Sequence, residues 1–410
     1  MYRKKLTRRQ FLKGAAATAG LTVAAGASGV NLWRTPAVLA DELDDFILAR
    51  MQTAHLPGLA AAIVKDNQLL WSKGYGWAHI GDGVPVTADT VFMLASVSKT
   101  VTGVAVMQLV EDGLIDLDAD VNDYLPFAVR TPQFPNTPIT TRMLLTHTAA
   151  IEDNWDVMLD LYVPGDSPIP LGTFLAEYYV PGGKYYHGLK NFYAHEPGTE
   201  YHYANVAVAL AGYLAEVVSG QSFENHCQQG IFDPLGMGET AWRLAGLDIN
   251  NVAMPYRHIG GGNYDAYGHY GYPDIPDGAL RTSVNQLARF LIAFINFGTY
   301  QDTTILTPPS VTEMRMEQIP DIVAGQGLIW YRDERNGDLL MGHNGGDYGV
   351  ATQMFFRLSD GVGTILLANG EALSQNEFEA FLEIQDRLYM EADNMGESFS
   401  IFMPAVFSTT

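Results

Sequence analysis

The sequence is poor in cysteine and in basic residues, and each shortage excludes a class of protein. Cys227 is the single cysteine among 410 residues, so the chain has neither an internal disulfide nor a cysteine cluster that could bind a metal. Lysine and arginine number 24 against 46 aspartate and glutamate residues, a formal net charge of −22 at pH 7. An acidic surface repels nucleic acid phosphates. We therefore expect no nucleic acid partner, no metal and no other cofactor.

Long apolar segments are absent after the first forty residues, because none reaches the roughly 20 apolar residues of a spanning helix. The first forty residues differ. They begin with basic residues, contain Thr7-Arg8-Arg9-Gln10-Phe11-Leu12-Lys13, and continue as an Ala/Gly-rich apolar run over residues 14–30. This pattern favours a twin-arginine signal peptide over residues 1–40, cut after Ala40 or near Ala25-Gly26-Ala27, over a membrane anchor. We expect a periplasmic or secreted protein without a membrane span after cleavage.

Cleavage would make the charge imbalance larger. Seven of the 24 basic residues and no acidic residue lie in the first forty positions, which leaves 17 basic against 46 acidic residues and a net charge of −29. A solvated acidic surface is the simplest explanation of this excess. A salty habitat or a cationic substrate would also explain it.

Alternating apolar residues predict strands near both ends of the chain. A helix over residues 41–55 precedes a hairpin over residues 59–64 and 69–75, with Asp66-Asn67 at its turn. Late in the chain, Asn336-Gly337 and Asp360-Gly361 mark turns, and residues 376–391 form a closing helix. The late strand-like segments are residues 325–331, 339–342, 349–356 and 363–368.

Helical periodicity dominates the middle of the chain, over residues 96–111, 206–219 and 284–297. The order of strands, helices and strands predicts an α+β fold with one antiparallel sheet built from both chain ends. Terminal helices cover one face of this sheet, and a mainly helical insertion covers the other. The predicted domain spans residues 41–392, with a sheet region at about 41–90 plus 320–392, a helical region at about 91–319, and a tail over 393–410.

Ser96-Val97-Ser98-Lys99 is the single Ser-x-x-Lys of the chain, and it begins a predicted helix after an apolar run. Residues three apart share a helix face, so Lys99 lies beside Ser96. It can accept the hydroxyl proton if burial or positive charge lowers the lysine pKa. A helix start also offers Ser96 a positive dipole and an N–H group for an oxyanion. The alternative, an exposed lysine, is disfavoured because the helix is apolar around most of its circumference.

Tyr203-Ala204-Asn205 is the single Tyr-x-Asn and precedes the helix over residues 206–219. A tyrosine can pass a proton to a leaving group, and an amide can bind a substrate carbonyl or hold Lys99. A tyrosine and a helix-capping asparagine in a Tyr-rich loop would be the simpler explanation. The pairing with Ser96 favours catalysis.

His343-Asn344-Gly345-Gly346 lies between two predicted strands. His-x-Gly occurs four times, so position rather than spacing selects this copy. Glycines beside a strand let a substrate backbone approach, and the Gly346 N–H is a candidate second oxyanion donor.

These three motifs resemble those of the class C β-lactamase and serine D-peptidase/esterase superfamily. The resemblance extends over residues 56–368 and includes further landmarks in the expected order, namely Leu144-Leu145-Thr146-His147-Thr148, Glu196-Pro197-Gly198, Phe232-Asp233-Pro234-Leu235-Gly236-Met237 and Gly278-Ala279-Leu280-Arg281-Thr282-Ser283. It implies the β-lactamase/transpeptidase-like fold, with Ser96 as the acylated nucleophile and Lys99 and Tyr203 sharing the proton transfers. It further implies a substrate-orienting Asn205 and a strand lining the site, formed by His343, Asn344, Gly345 and Gly346.

Two departures from the family pattern bear on the substrate. The family's β-lactamases usually carry lysine at the position of His343, where a permanent cation holds the antibiotic's carboxylate; an imidazole is weaker and is expected to titrate near neutrality. The Leu-Leu-Thr-His-Thr stretch continues as Ala149-Ala150-Ile151 where Ser-Gly is common, which we interpret as a structural variation.

The expected function is therefore an exported serine hydrolase of a small peptide, amide or ester, with D-Ala-D-Ala carboxypeptidase-like and esterase activities as candidates. A class C-type β-lactamase is the alternative, and an inactive binding protein of the same fold is the second. An α/β-hydrolase is disfavoured because the chain has no Gly-x-Ser-x-Gly.

Two loops rich in tyrosine and histidine, residues 185–203 and 256–272, adjoin the predicted site. They could form a stacking wall for substrate or simply pack as loops. Their histidines have no zinc-like spacing, so we expect no metal there.

Overall fold

The computed structural model describes the backbone of residues 36–401 and the side chains of residues 42–395. The twin-arginine segment and most of the predicted leader lie outside the described residues, as does the chain end after residue 401. The ten α-helices within this range are α1 Pro36–Thr53, α2 Ser98–Glu111, α3 Thr141–Leu145, α4 Trp155–Met158, α5 Leu171–Tyr179, α6 Asn205–Ser219, α7 Phe223–Cys227, α8 Val284–Ile295, α9 Pro308–Arg315 and α10 Gln375–Ile401.

Fifteen strands lie in the same range. They are β1 Gly58–Lys65, β2 Gln68–His79, β3 Val84–Pro85, β4 Phe92–Met93, β5 Val163–Pro164, β6 Tyr256–Gly260, β7 Asn263–Ala266, β8 Tyr270–Gly271, β9 Arg281–Thr282, β10 Thr299–Tyr300, β11 Thr303–Thr304, β12 Tyr331–Arg335, β13 Asp338–Asp347, β14 Val350–Arg357 and β15 Gly363–Ala368.

Seven strands form one antiparallel sheet in the order β12-β13-β14-β15-β1-β2-β3. Its central seam joins the two ends of the chain, since β1 pairs with β15 from Leu59↔Ala368 to Val64↔Gly363. The predicted α+β fold with a sheet built from both chain ends is confirmed.

The two faces of the sheet bury different layers, because side chains alternate along a strand. Ala61 and Ile63 of β1 face a core formed with α1 and α10, whereas Ala60, Ala62 and Val64 face the larger core formed with the inserted helices. A strand buried on both faces must be apolar throughout, as the β1 sequence Gly-Leu-Ala-Ala-Ala-Ile-Val is.

One predicted strand is wrong. Residues 325–331 form a buried loop, and β12 begins only at Tyr331. Leu328, Ile329 and Trp330 are buried, and the Ile329 φ of +67° interrupts extended backbone. The Leu328 N–H donates to Met314 O and the Ile329 N–H to Leu145 O. The apolar run therefore fills space between helices instead of pairing in the sheet.

Helix ends also differ from the prediction. α10 continues to Ile401, and α1 begins at Pro36. A separate 3-10 turn, Ala95–Val97, precedes α2. No single helix of residues 36–401 is long and apolar enough to cross a bilayer; the segments Asn205–Ser219 and Phe223–Phe232 reach that threshold only as a pair bent by 81°.

Phe294 of α8 stacks on Trp330 of the buried loop over residues 325–331, with ring centroids 3.7 Å apart and planes 4° apart, and it contacts Phe356 of β14 edge to face at 6.3 Å. Phe294→Ala should lower the free energy of unfolding by about 3–5 kcal/mol, because it leaves a cavity in a closed core. Urea unfolding followed by circular dichroism measures this loss. The matched change Phe297→Ala, at a side chain 45% exposed, should cost about 1 kcal/mol or less. Equal losses for the two variants would contradict the packing account.

Candidate active site

Ser96 lies in the 3-10 turn between β4 and α2, and it is partly exposed between the buried Ala95 and Val97. Ala95 has a φ of +47°, a conformation that non-glycine residues rarely adopt and that surrounding contacts must hold. Those contacts are present: the Leu94 N–H donates to Leu280 O at 2.8 Å, and the Thr352 hydroxyl donates to Leu94 O at 2.8 Å. The serine therefore stands on a turn fixed from two sides.

Lys99, the second residue of α2, is completely buried beside this serine. Its Nζ lies 3.1 Å from Ser96 Oγ, 2.7 Å from Asn205 Oδ1 and 2.6 Å from Asp277 O, and 5.1 Å from the centre of the Tyr203 ring. The structure thus brings together the serine, lysine, tyrosine and asparagine singled out in the sequence.

Burial lowers the pKa of Lys99, since the charged ammonium loses its hydration. Four carboxyl groups act against this effect and favour the ammonium, in decreasing order Asp277, Asp153, Asp274 and Asp347. The lysine charge is thus set by a balance between burial and a ring of acids.

Asp153 fixes Asn205 and the start of α6. Its Oδ2 accepts from the Asn205 backbone N–H at 3.0 Å and from Asn205 Nδ2 at 2.9 Å, and its Oδ1 accepts from the Val206 N–H at 3.1 Å. Burial raises the pKa of Asp153 to about 6, while these bonds and Lys99 oppose the rise. The Asn205 amide contacts Lys99 through its oxygen and Asp153 through its nitrogen, so it positions the lysine.

The Tyr203 ring packs against that of His147, with centroids 4.3 Å apart and planes tilted by 32°. Burial raises the pKa of the Tyr203 hydroxyl, and its hydrogen bond with Ser96 opposes the rise. His147 Nδ1 accepts from the Ala204 N–H at 3.2 Å, and burial keeps the pKa of His147 well below its usual value. Tyr203 is therefore a protonated phenol that packs against a neutral imidazole.

The β13 strand runs past Ser96 with a free edge. β12 pairs with β13 only as far as Gly342, so within the described chain residues 343–347 pair on the β14 side alone. A Cβ on Gly345 would lie 2.5 Å from Leu94 O and 2.9 Å from Ser96 N, so only glycine allows this approach. Gly346, beside it, is exposed. Its N–H remains the predicted second oxyanion donor.

His343 is buried, and the prediction that it titrates near neutrality is wrong. Burial lowers the pKa of His343 to about 3, with the Lys99 charge acting in the same direction and the bond to Asn344 O opposing both. Its Nδ1 lies 2.6 Å from Asn344 O and donates to it. The Asn344 side chain accepts from the Tyr331 hydroxyl at 3.1 Å. The site thus presents a neutral imidazole where a lysine would present a cation.

A second set of acids and tyrosines lies at the other end of this strand. Tyr162 Oη lies 3.3 and 3.4 Å from the two carboxylate oxygens of Asp347, and the Tyr348 N–H donates to Oδ1 at 2.8 Å. Burial raises the pKa of Asp347 to about 7, against these bonds. The Tyr162 ring contacts those of Tyr270, Tyr272 and Tyr348, with centroids 4.9–5.6 Å apart.

Asp274 and Asp277 form a hydrogen-bonded carboxyl pair behind Lys99. Both are buried, and burial together with the charge of Asp274 raises the pKa of Asp277 well above its usual range. Two adjacent acids in a dry site share a proton, since both cannot be ionised cheaply.

Sequence reasoning missed Asp153, Asp277 and Asp347 as parts of the site, and it treated His147 only as a family landmark. Asp153 lies in a loop, Asp277 ends a 3-10 turn and Asp347 ends β13, so none has a fixed spacing from Ser96. An acid shortly before or after a motif residue is common in a chain with 46 of them, so no signal separated these.

Two further groups of residues bring possible metal ligands within 4.8 Å of one another, His55 with His258 and Glu377, and His195 with Glu200 and His202. In both groups a histidine bonds to the carboxylate, at 2.8 and 3.1 Å. The imidazole rings are stacked, with planes 12° and 27° apart. Near-parallel rings direct their lone pairs side by side rather than to a common point, so ring stacking and histidine–carboxylate hydrogen bonds explain both groups.

A protein-family model described as Beta-lactamase matches residues 43–388. Penicillin-binding protein 4 of Amycolatopsis lactamdurans is 28% identical over 371 residues, which cover 86% of this chain and 89% of that protein. The crystal structure of D-amino acid amidase from Ochrobactrum anthropi SV3, complexed with L-phenylalanine amide, is 21% identical with a TM-score of 0.69, over 86% of this chain and 99% of that one. An octameric penicillin-binding protein homologue from Pyrococcus abyssi is 23% identical, with a TM-score of 0.65, over 84% and 76%.

The low pKa of His343 can be tested by titration. Its imidazole proton resonances, assigned by their loss in His343→Gln, should not shift between pH 5 and 8. Because protonation of this buried ring is unfavourable, wild type should also lose unfolding free energy relative to His343→Gln as pH falls from 6.5 towards 3, by several kcal/mol in total. A resonance that titrates near pH 6.5 would show that the ring is solvated and free to hold an anion.

Proposed function

The chain belongs to the beta-lactamase family of serine hydrolases, and we propose that it cleaves small amides, peptides or esters through an acyl-enzyme on Ser96. One observation carries the proposal. A buried Lys99 contacts Ser96 Oγ and two fixed acceptors, Asn205 Oδ1 and Asp277 O. A neutral amine has two N–H groups and one lone pair, which match two acceptors and one hydroxyl donor.

In the first step Ser96 Oγ attacks the substrate carbonyl carbon while its proton passes to the Lys99 lone pair. Burial, by lowering the pKa of Lys99, supports the neutral amine that this transfer needs. The carbonyl oxygen becomes an oxyanion, which the Ser96 N–H and the Gly346 N–H would stabilise. The nearby Asp277 and Asp153 moderate the cost of the ammonium that forms.

Collapse of this intermediate breaks the bond to the leaving group, which takes a proton from Tyr203. A phenol whose pKa is raised by burial is protonated at neutral pH and can act as this acid. Once the leaving group has left, the Lys99 ammonium returns a proton to Tyr203 across the space beside Ser96. Water attacks the acyl-enzyme by the reverse proton route, which releases the acid and restores the serine.

The charges around Ser96 favour substrates without a carboxylate in the leaving group. His343 is neutral, and the two N–H groups of the neutral Lys99 amine are directed to Asn205 Oδ1 and Asp277 O. Arg281 donates to Ala279 O and Tyr270 O. A D-alanine leaving group or a β-lactam carboxylate would therefore lack a free cation at this site. We accordingly rank amidase or esterase activity above D-Ala-D-Ala carboxypeptidase and β-lactamase activity.

β-Lactam turnover is the second candidate, because the 28% identity to Penicillin-binding protein 4 extends over most of both chains. Relative rates on nitrocefin, a p-nitrophenyl ester, an amino acid amide and a D-alanyl-D-alanine peptide separate the candidates. A dominant nitrocefin or D-alanine release rate would reverse our order.

Ser96→Ala should lower kcat/KM for the best of these substrates by at least about 1,000-fold, because it removes the nucleophile. A fluorophosphonate probe should add its mass to the wild type at Ser96 and add nothing to Ser96→Ala. Intact-protein mass spectrometry measures both.

Ser98→Ala is the matched control, since Ser98 lies two residues away in the same segment and its hydroxyl accepts from the Leu280 N–H. It should still be labelled. A wild-type protein that neither acylates nor turns over any substrate would instead be an inactive binding protein of this fold.

We also propose that the protein acts outside the cytoplasm, exported by the twin-arginine route on the basic and apolar pattern of its first forty residues. Replacing Arg8 and Arg9 together by lysine should hold the uncleaved precursor in the cytoplasm, as judged by cell fractionation and intact mass. Arg3→Lys, the same change outside the pair, should be exported normally. Periplasmic, processed protein from the double variant would contradict this route.

A further inference from the structure

Asp347 shares a face of β13 with His343 and Gly345, because side chains two residues apart point to the same side of a strand. Gly345 marks the point on that face where Ser96 N approaches the strand. Two residues of strand, about 7 Å, separate Gly345 from His343 on one side and from Asp347 on the other. His343 and Asp347 therefore lie on opposite sides of the serine.

The His343 side is already occupied by the proton-donating group. The Tyr203 ring centre lies 6.2 Å from that of His343, and Tyr203 packs against His147. A leaving group that takes its proton from Tyr203 must lie on this side. The acyl part of the same substrate then extends past Ser96 towards Asp347.

The Asp347 side is walled by tyrosines that extend towards the turn carrying Ser96. Tyr272 Oη lies so close to Gly278 that a Cβ there would be 2.4 Å from it, and the same Cβ would be 3.6 Å from Ala95 C. The Tyr162 ring, 4.9 Å from that of Tyr272, bonds to Asp347. Aromatic faces and a carboxylate are the two groups that bind an ammonium ion in proteins.

The Asp347 carboxylate can accept another donor. The Tyr348 N–H donates to Oδ1 at 2.8 Å, and Tyr162 Oη lies 3.3 and 3.4 Å from the two oxygens. Tyr270 also bonds to this carboxyl, although its hydroxyl donates to Tyr348 O at 2.8 Å. Two carboxylate oxygens have about four acceptor positions, so one remains for a ligand. Asp347 is also only partly buried, at the lip beside the exposed Gly346.

We propose that Asp347 and the tyrosines Tyr162 and Tyr272 form a subsite for a protonated amino group on the acyl part of the substrate. The inference rests on the proposed acyl-enzyme function and narrows its substrates to aminoacyl amides or esters with a free amine. The ammonium would pair with the Asp347 carboxylate, donate a hydrogen bond to its open acceptor position and contact the faces of the tyrosine rings.

The test compares two substrates of equal size, the p-nitroanilides of alanine and of 2-hydroxypropanoic acid, each as both enantiomers. In the wild type, the amine should be preferred by at least tenfold in kcat/KM for one enantiomer. Asp347→Asn should abolish that preference, because kcat/KM should fall at least tenfold more for the amine substrate than for the hydroxyl substrate and p-nitrophenyl butyrate, which share any effect of the lost charge on Lys99. Asp338→Asn, at the other end of β13, removes the same charge away from the site and should keep the preference.

Calorimetric binding of both anilides to Ser96→Ala, alone and combined with Asp347→Asn, tests the subsite without turnover. Tighter binding of the amine that is lost in the double variant supports the proposal. Equal binding and equal rates for the two anilides overturn it, even if p-nitrophenyl butyrate is hydrolysed and the acyl-enzyme function stands. A loss shared equally by all three substrates in Asp347→Asn also overturns it, since the residue would then only support the strand. Failure of the proposed function is seen separately, as an absence of Ser96 acylation.

Discussion

Burying a lysine amine against a serine hydroxyl is the constraint on which the other features of the site depend. Burial removes water from around an ammonium, which destabilises the charged form and lowers the lysine pKa. Nearby carboxylates must stabilise the ammonium again if the amine is to accept a proton during the reaction. Asp153 and the Asp274–Asp277 pair supply this negative charge, and Asn205 hydrogen-bonds to both Lys99 and Asp153. The loops that bear these residues are therefore as much a part of the site as Ser96.

The sheet supplies the other half of the arrangement. Pairing of β1 with β15 joins segments about 300 residues apart, and it fixes β14 and β13 relative to the inserted helices. Thr352 of β14 bonds to Leu94 O, one residue before the strained Ala95. Gly345 lets β13 approach the same turn. The serine is held where two layers of the fold meet, and strain at Ala95 can be tolerated because both layers oppose its relaxation.

How much the sequence predicts follows from how local the determining interactions are. β15 and α6 are each determined by the apolar pattern within their own segment, so their predicted bounds agree with the structure within one residue. Residues 325–331 are equally apolar, yet whether they pair in a sheet or fill a gap depends on neighbours far along the chain. The same limit explains the error at His343, because burial sets its pKa and the residue type does not show burial. Asp153 and Asp347 were missed since their partners, Lys99 and Tyr162, are distant in sequence.

The carboxyl groups near Ser96 matter more for the site than the overall excess of acidic residues does. Surface carboxylates interact weakly and are screened by salt over about 10 Å, so the net charge alone gives little discrimination between substrates. Asp153, Asp274 and Asp277 near Ser96 are buried and Asp347 is partly buried, and these four carboxyls act on one another and on Lys99, in line with the raised pKa values of Asp153 and Asp347. An anion entering this region would be repelled at close range, whereas an ammonium would relieve the repulsion. The neutral His343 adds no cation to reverse that preference, so the proposed substrate selection rests on these local charges and not on the total charge.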